Sequence, residues 1–155
     1  MNLSSSDSIR SPRFFHVETD ADFAAAFPVI VQLRPHLTLE TFRERVRRQW
    51  QEGYRLAALE ADGRVRSLAG YRIQHFLWAD RLLYIDDLIT DADSRSRQFG
   101  EQLFLHVKEI AIAAGCTDLH LDSGTHRVEA HRFYFRQRMV IDNFHFALKL
   151  TPAAP

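Results

Sequence analysis

Apolar positions along this chain change period several times, and each change predicts an element. Phe14, Phe15 and Val17 form a short apolar run that stops at Thr19 and Asp20, which predicts a first strand followed by a helix N-cap. Residues 21–33 are Ala-rich, with Phe23, Phe27, Ile30 and Leu33 near helical spacing. Pro28 lies inside that stretch and is expected to kink or divide the helix, and Pro35 closes it. Thr38 is placed to cap a second helix, but Thr41 stands where a capping box has Glu or Gln, so an incomplete box is expected. Leu39, Phe42, Val46 and Trp50 then mark one face of that helix, and Gly53 supplies its stop.

From Tyr54 the period falls to two. Residues 54–61 and 65–76 read as strands joined by the two-residue turn Asp62-Gly63, and Gly70 marks a bulge or the close approach of another backbone. After a turn at Trp78, Ala79 and Asp80, residues 82–90 (LLYIDDLIT) complete an antiparallel meander. The polar stretch 91–98 leads into a helix carrying Phe99, Leu103, Val107, Ile110, Ala111 and Ala114, closed by Gly115. Residues 117–122 predict a strand, residues 127–138 a helix, and the alternating residues 143–150 (NFHFALKL) a last strand. The order is β-α-α-β-β-β-α-β-α-β. It describes an α/β (α+β) chain with a mixed, mainly antiparallel sheet and one crossover helix that requires a parallel pair. Residues 1–12 read as a disordered lead, 13–150 as a single domain and 151–155 as a loose tail.

Charge and composition narrow the function classes. The 155 residues hold 20 Lys and Arg against 20 Asp and Glu, and this balance argues against nucleic acid as a partner. With 46% hydrophobic residues the chain can build a core. A single cysteine, Cys116, allows no internal disulfide and no Cys-based zinc site. No apolar run approaches the roughly 20 residues that span a bilayer, and the first residues resemble no secretory signal, so no membrane partner and a cytoplasmic setting are expected. Among the eight histidines, His120 shares a strand face with Asp122, and His126 and His131 follow. Their spacing fits no common ligand set, so no metal is expected. The arginines of residues 39–52 read as a solvated helix face with Glu–Arg pairs rather than as a ligand-facing patch.

Chemistry concentrates in residues 84–104, where a strand runs through a polar loop into a helix. A helix N-terminus exposes unpaired N–H groups, and a loop entering it with Arg95, Arg97 and Gly100 suits a phosphate, with Gly100 admitting the anion closely. The run Arg95-Ser96-Arg97-Gln98-Phe99-Gly100 is similar to the R/Q-x-x-G-x-G/A signature of the GNAT superfamily of acyl-CoA-dependent N-acyltransferases. Gln98 stands where that family usually has its first glycine. A second segment, Ala130-His131-Arg132-Phe133-Tyr134 followed by Arg138-Met139, resembles the family's A-x-x-x-Y followed by G-F, with Arg138 in place of the glycine.

The resemblance, over about residues 13–150, implies a GNAT-like sheet with helices on both faces. It also implies transfer of an acetyl group from acetyl-CoA to a primary amine, on a small molecule or an exposed protein amino group. By that resemblance the backbone of Leu88, Ile89 and Thr90 would pair with the pantetheine, where strands 82–90 and 117–122 splay apart. Arg95, Ser96, Arg97, Gln98, Phe99, Gly100 and Glu101 would form the pyrophosphate loop. Tyr134 would protonate the departing thiolate. Asp86 and Asp87 occupy the place of an acidic pair in some polyamine-acetylating members. A carboxylate there can attract an ammonium and accept its proton. Strand alternation lets only one of the two face the substrate, and Asp87 is the preferred one. The alternative is a non-catalytic acyl-CoA-binding or sensing module, which the Gln98 substitution motivates. Selectivity is expected from residues 20–52 and the 77–82 turn, and the exposed edge of the last strand suits a homodimer.

Overall fold

A computed structural model describes residues 11–95 and 97–150; the lead over residues 1–10, Ser96 and the tail over 151–155 lie outside the described residues. Five strands and four α-helices are found among the described residues, in the order β1 (Arg13–His16), α1 (Asp20–Leu33), α2 (Leu39–Trp50), β2 (Arg55–Ala61), β3 (Arg64–Gln74), β4 (Leu82–Thr90), α3 (Phe99–Ala113), β5 (Asp118–Leu121) and α4 (Val128–Arg136). The sheet runs β1-β2-β3-β4-β5, with the first four strands antiparallel and β4 parallel to β5 through the α3 crossover. The described residues form two compact units, one ending at Leu121 and one beginning at Asp122.

Local chemistry sets the helix ends. Thr19 caps α1 by accepting the Asp22 N–H, while the Asp22 carboxylate accepts the Thr19 N–H at 2.8 Å. Pro28 does not divide α1, which is continuous to Leu33. Its ring and Ala24, whose carbonyl loses its usual N–H donor, both sit on the exposed face, where water can serve that carbonyl. The second capping box is complete after all. The Thr38 side chain accepts the Thr41 N–H, and Thr41 Oγ1 accepts the Thr38 N–H at 2.9 Å, doing the work of a longer acidic side chain. Among the described residues, the arginines of α2 pair with no glutamate of their own helix: Arg43 and Arg47 both reach Asp20 at the start of α1, at 3.3 and 2.9 Å.

The β2–β3 turn has positive φ at both Asp62 and Gly63, the requirement of a type I′ hairpin. Both faces of the central strands are buried. Leu56, Ala58 and Leu68 pack with Phe23, Ile30 and Phe42 of α1 and α2. On the opposite face the buried Ser67 hydroxyl donates to the Phe99 carbonyl at 3.2 Å, under α3. Helices therefore cover both faces, as expected.

The second unit carries α4, shorter than the expected 127–138, and no strand over residues 143–150. Phe144, Phe146 and Leu148 are 87%, 91% and 85% exposed. Alternation marks a segment able to lie on a sheet, but a strand exists only when its N–H and C=O groups find a partner.

Candidate active site

The site grows from an irregularity in β4. On β3, Gly70 and Tyr71 are adjacent; on β4 they pair with Asp87 and Ile85, so Asp86 is an extra residue. This bulge breaks the alternation that would send neighbouring side chains to opposite faces. Asp86 and Asp87 consequently both open into one cavity of about 370 Å³. The cavity has an apolar wall of Ile30, Leu37, Phe42 and Val46, and a polar one that includes Arg34, Arg45, Gln49 and Tyr54.

The two carboxylates are held differently. Asp87 Oδ1 accepts Arg34 Nε and Nη2 at 2.9 and 2.7 Å, and its Oδ2 accepts the Tyr54 hydroxyl at 2.9 Å. Asp86 is gripped through Oδ2 by Arg72 Nε at 2.9 Å, and Arg72 is braced in turn by Gln49. Burial raises the Asp86 pKa above the ordinary carboxylate value, against the Arg72 hydrogen bond and charge that lower it; the neighbouring Asp87 charge pushes it up further. Burial and the Asp87 charge together drive the Tyr54 phenol well above its ordinary value, so Tyr54 is a fixed donor to Asp87. Arg34, Tyr54 and Arg72 are functional neighbours that the sequence did not single out. The available signal was Gly70: a Cβ there would overlap the Tyr54 hydroxyl, so the glycine makes room for a ring rather than for another backbone.

Beyond the bulge β4 parts from β5. The last β4–β5 pair is Ile85 with Leu121, yet β4 continues to Thr90. Asp91 N–H donates to the Arg66 carbonyl on the β3 side at 2.8 Å. By alternation Leu88 and Thr90 turn their N–H and C=O groups to the edge that β5 has vacated, whereas those of Ile89 turn toward β3. The loop that follows is tied down on both sides. Asp91 accepts Gln32 Nε2 at 2.9 Å and the Ser94 hydroxyl at 3.1 Å, and the Gln32 hydrogen bond is the main cause of its lowered pKa.

Gln98, at the position of the family's first glycine, has φ 62° and ψ 9° and makes no side-chain cap on α3. The glycine-like backbone is thus kept without the glycine, turning the first N–H groups of α3 toward one side. Arg138, at the second replaced glycine, has φ 63° as well. A left-handed non-glycine residue costs about 1–2 kcal/mol, so Gln98→Gly is expected to raise the melting temperature, read by thermal unfolding. An unchanged or lowered value would count against strain at this position. Gly100 is not left-handed; a Cβ on it would lie 2.6 Å from Thr90 Oγ1, so its small size serves packing of α3 on β4. Phe99 is buried, while Arg95 and Arg97 are exposed; Arg97 stands over the Phe99 ring and 3.3 Å from Asp62.

The remaining candidates have partners of their own. His120 lies against the Trp78 ring, His131 bonds the Gly124 carbonyl at 3.0 Å, and Asp122 pairs with His145 at 2.8 Å. Tyr134 lies in α4, edge-on to Phe133, and burial raises its pKa against a lowering influence of Arg127.

Residues 17–138 match the family model described as "Acetyltransferase (GNAT) family". The chain belongs to this family. As a GNAT acyltransferase it is 34% identical over 114 residues to "Uncharacterized N-acetyltransferase YhdJ" of Bacillus subtilis (strain 168), covering 73% of this chain and 80% of that protein. Its fold is shared with a GNAT family acetyltransferase of Staphylococcus aureus at TM-score 0.75 and 16% identity, covering 91% of this chain and 100% of the other. It is also shared with the aminoglycoside N-acetyltransferase AAC(6')-Iy, solved in complex with CoA, at TM-score 0.74 and 13% identity over 93% and 98% of the two chains. Among the described residues no helix is long and apolar enough to cross a membrane.

Proposed function

We propose that this GNAT enzyme transfers the acetyl group of acetyl-CoA to a primary amine seated in the cavity beside Asp86. One observation carries the reading. A single strand, β4, runs past its last β5 pair with the backbone groups of Leu88 and Thr90 turned to that edge, and opens two carboxylates into a cavity at its bulge. The vacated edge suits the pantetheine arm as an added strand. The left-handed Gln98 and the uncapped start of α3 suit the pyrophosphate, with Arg97 and Arg95 adding positive charge at the surface. Arg97 is free to turn to such an anion because an exposed pair such as its contact with Asp62 is worth about 0–1 kcal/mol. The cosubstrate supplies the activated acyl thioester.

The protein's own groups prepare the amine. An alkylammonium titrates near 10.4 and a carboxyl near 3.9, so direct transfer to an ordinary carboxylate is uphill by about 6.5 units, or roughly 9 kcal/mol. Two features reduce this. The apolar wall disfavours the ammonium form, and burial raises the Asp86 pKa. Asp86, engaged through one oxygen, holds the ammonium and passes its proton on directly or through water. Asp87, with both oxygens engaged, keeps Arg34 and Tyr54 in place. Tyr134 stands at the family's Tyr position, which supports it as the proton donor to a departing thiolate, and its raised pKa keeps the phenol protonated through the neutral range.

The reading is tested by free-thiol release from acetyl-CoA with a panel of primary amines, alongside calorimetric CoA binding. Amine-dependent release is expected. Thiol release that no amine accelerates would overturn it. Tyr134→Phe is expected to lower kcat about a hundredfold at unchanged CoA affinity, and an unaltered kcat would remove Tyr134 from the chemistry.

A further inference from the structure

From the charge layout of the cavity we infer that the acceptor is an amine that also bears an anionic group, a carboxylate or a phosphate monoester, with Arg45 as the residue that reads the anion. This rests on the proposed amine acetylation and narrows its substrate class.

The acidic pair does not make the cavity anionic. Arg34 lies against Asp87 at 2.7 Å and Arg72 against Asp86 at 2.9 Å, so each carboxylate already faces one guanidinium. A substrate with several ammonium groups would therefore meet one available carboxylate oxygen and a second cation nearby. Arg45 is different from the other two arginines. It lines the same cavity, from α2, and has no carboxylate partner among the described residues; its hydrogen bond is to His36, where Nη1 donates to Nε2 at 3.5 Å. Phe42, Arg45, Val46 and Gln49 all line the cavity, at the i, i+3, i+4 and i+7 spacing of one helix face, so Arg45 is aligned with the substrate space. The neighbouring arginines Arg43 and Arg47 turn instead to Asp20. An arginine offers a planar fork of donors that fits a carboxylate or a phosphate, and His36 stands beside it as a further polar group. The cavity thus presents a carboxylate for a cation on β4 and, among the described residues, a guanidinium without a carboxylate partner for an anion on α2, with Ile30, Leu37, Phe42 and Val46 in the same lining to pack the linking carbons.

The test uses the full chain with acetyl-CoA and three matched ladders of increasing chain length: alkylamines, ω-amino carboxylates and aminoalkyl phosphates. An anionic tail is expected to lower KM about tenfold or more relative to the alkylamine of the same length. Which ladder gains more identifies the anion. Arg45→Gln is expected to raise KM for the tailed amines about tenfold to a hundredfold and the alkylamine KM by far less. Arg45→Lys is expected to restore part of the loss. Alkylamines acetylated as well as the tailed amines, or an equal effect of Arg45→Gln on both, would overturn the inference while leaving amine acetylation standing. Failure of every ladder to release thiol would overturn the acetylation reading and this inference with it.

Discussion

Asp86→Asn lowers kcat/KM by about two to three orders of magnitude and leaves CoA affinity intact; this is the largest catalytic effect expected in the chain. The amide keeps an oxygen for Arg72 Nε and nearly the same volume, so the bulge and cavity survive, but it accepts no proton. The pH profile separates this from a structural loss. Wild-type activity is expected to fall as pH drops through the Asp86 pKa, because the protonated acid neither holds an ammonium nor takes a proton from it. Burial raises that pKa, so the limb lies above the ordinary carboxylate range. The linkage has the opposite sign to that of an acid stabilised by its partner. A folded pKa above the unfolded one means that the native state binds the proton more tightly. Ionising Asp86 therefore costs stability as pH rises from the unfolded value through the folded one. Asp86→Asn removes that cost, and its melting curve should lose the corresponding slope. A variant with full kcat/KM, or with a persistent acid limb, would move proton transfer elsewhere.

Gly70→Ala is expected to give the largest structural effect at the site. The added Cβ would overlap the Tyr54 hydroxyl and come within 2.8 Å of Tyr54 Cε2. Tyr54 is 3% exposed, and its hydroxyl is committed to Asp87. The ring has to move, at about 1–3 kcal/mol of overpacking, and the Asp87 bond goes with it. At the size of this chain that corresponds to roughly 2–12 °C in melting temperature. In a Tyr54→Ala background the same substitution should cost far less, since the clash has been removed; additive losses in the double variant would show that Gly70 serves something other than Tyr54.

Legibility in the sequence followed the range of each interaction. The Asp62-Gly63 hairpin, the Thr19 cap, the Gly53 stop and the amphipathic α2 are decided by residues within a few positions, and each was readable from local pattern. Thr41 shows how narrow a motif can be: its hydroxyl closes the box that a longer side chain was expected to close. The loop before α3 was legible in part. Its position and the unusual demand on Gln98 followed from the order of residues, while the role of Gly100 as a packing contact for Thr90 needed the neighbouring strand in place. Over residues 143–150 the alternation is present in the sequence, but a strand requires a partner as well as a pattern.

By itself the sequence determined the element order through β5, the helix caps, the turn chemistry and the family signature, all of which depend on contacts close along the chain. The acid pair marks the boundary. Strand periodicity assigned Asp86 and Asp87 to opposite faces, and only the register of β3 against β4, which inserts Asp86 as an extra residue, turns both into one cavity. The same register brings in Arg72, while α1 delivers Arg34 from more than fifty positions away. Charge that sums to zero along the chain is resolved by tertiary pairing into two aspartates each facing an arginine and, among the described residues, a cavity arginine, Arg45, with no carboxylate partner, because ion pairs depend on distance in space and not on order in the chain.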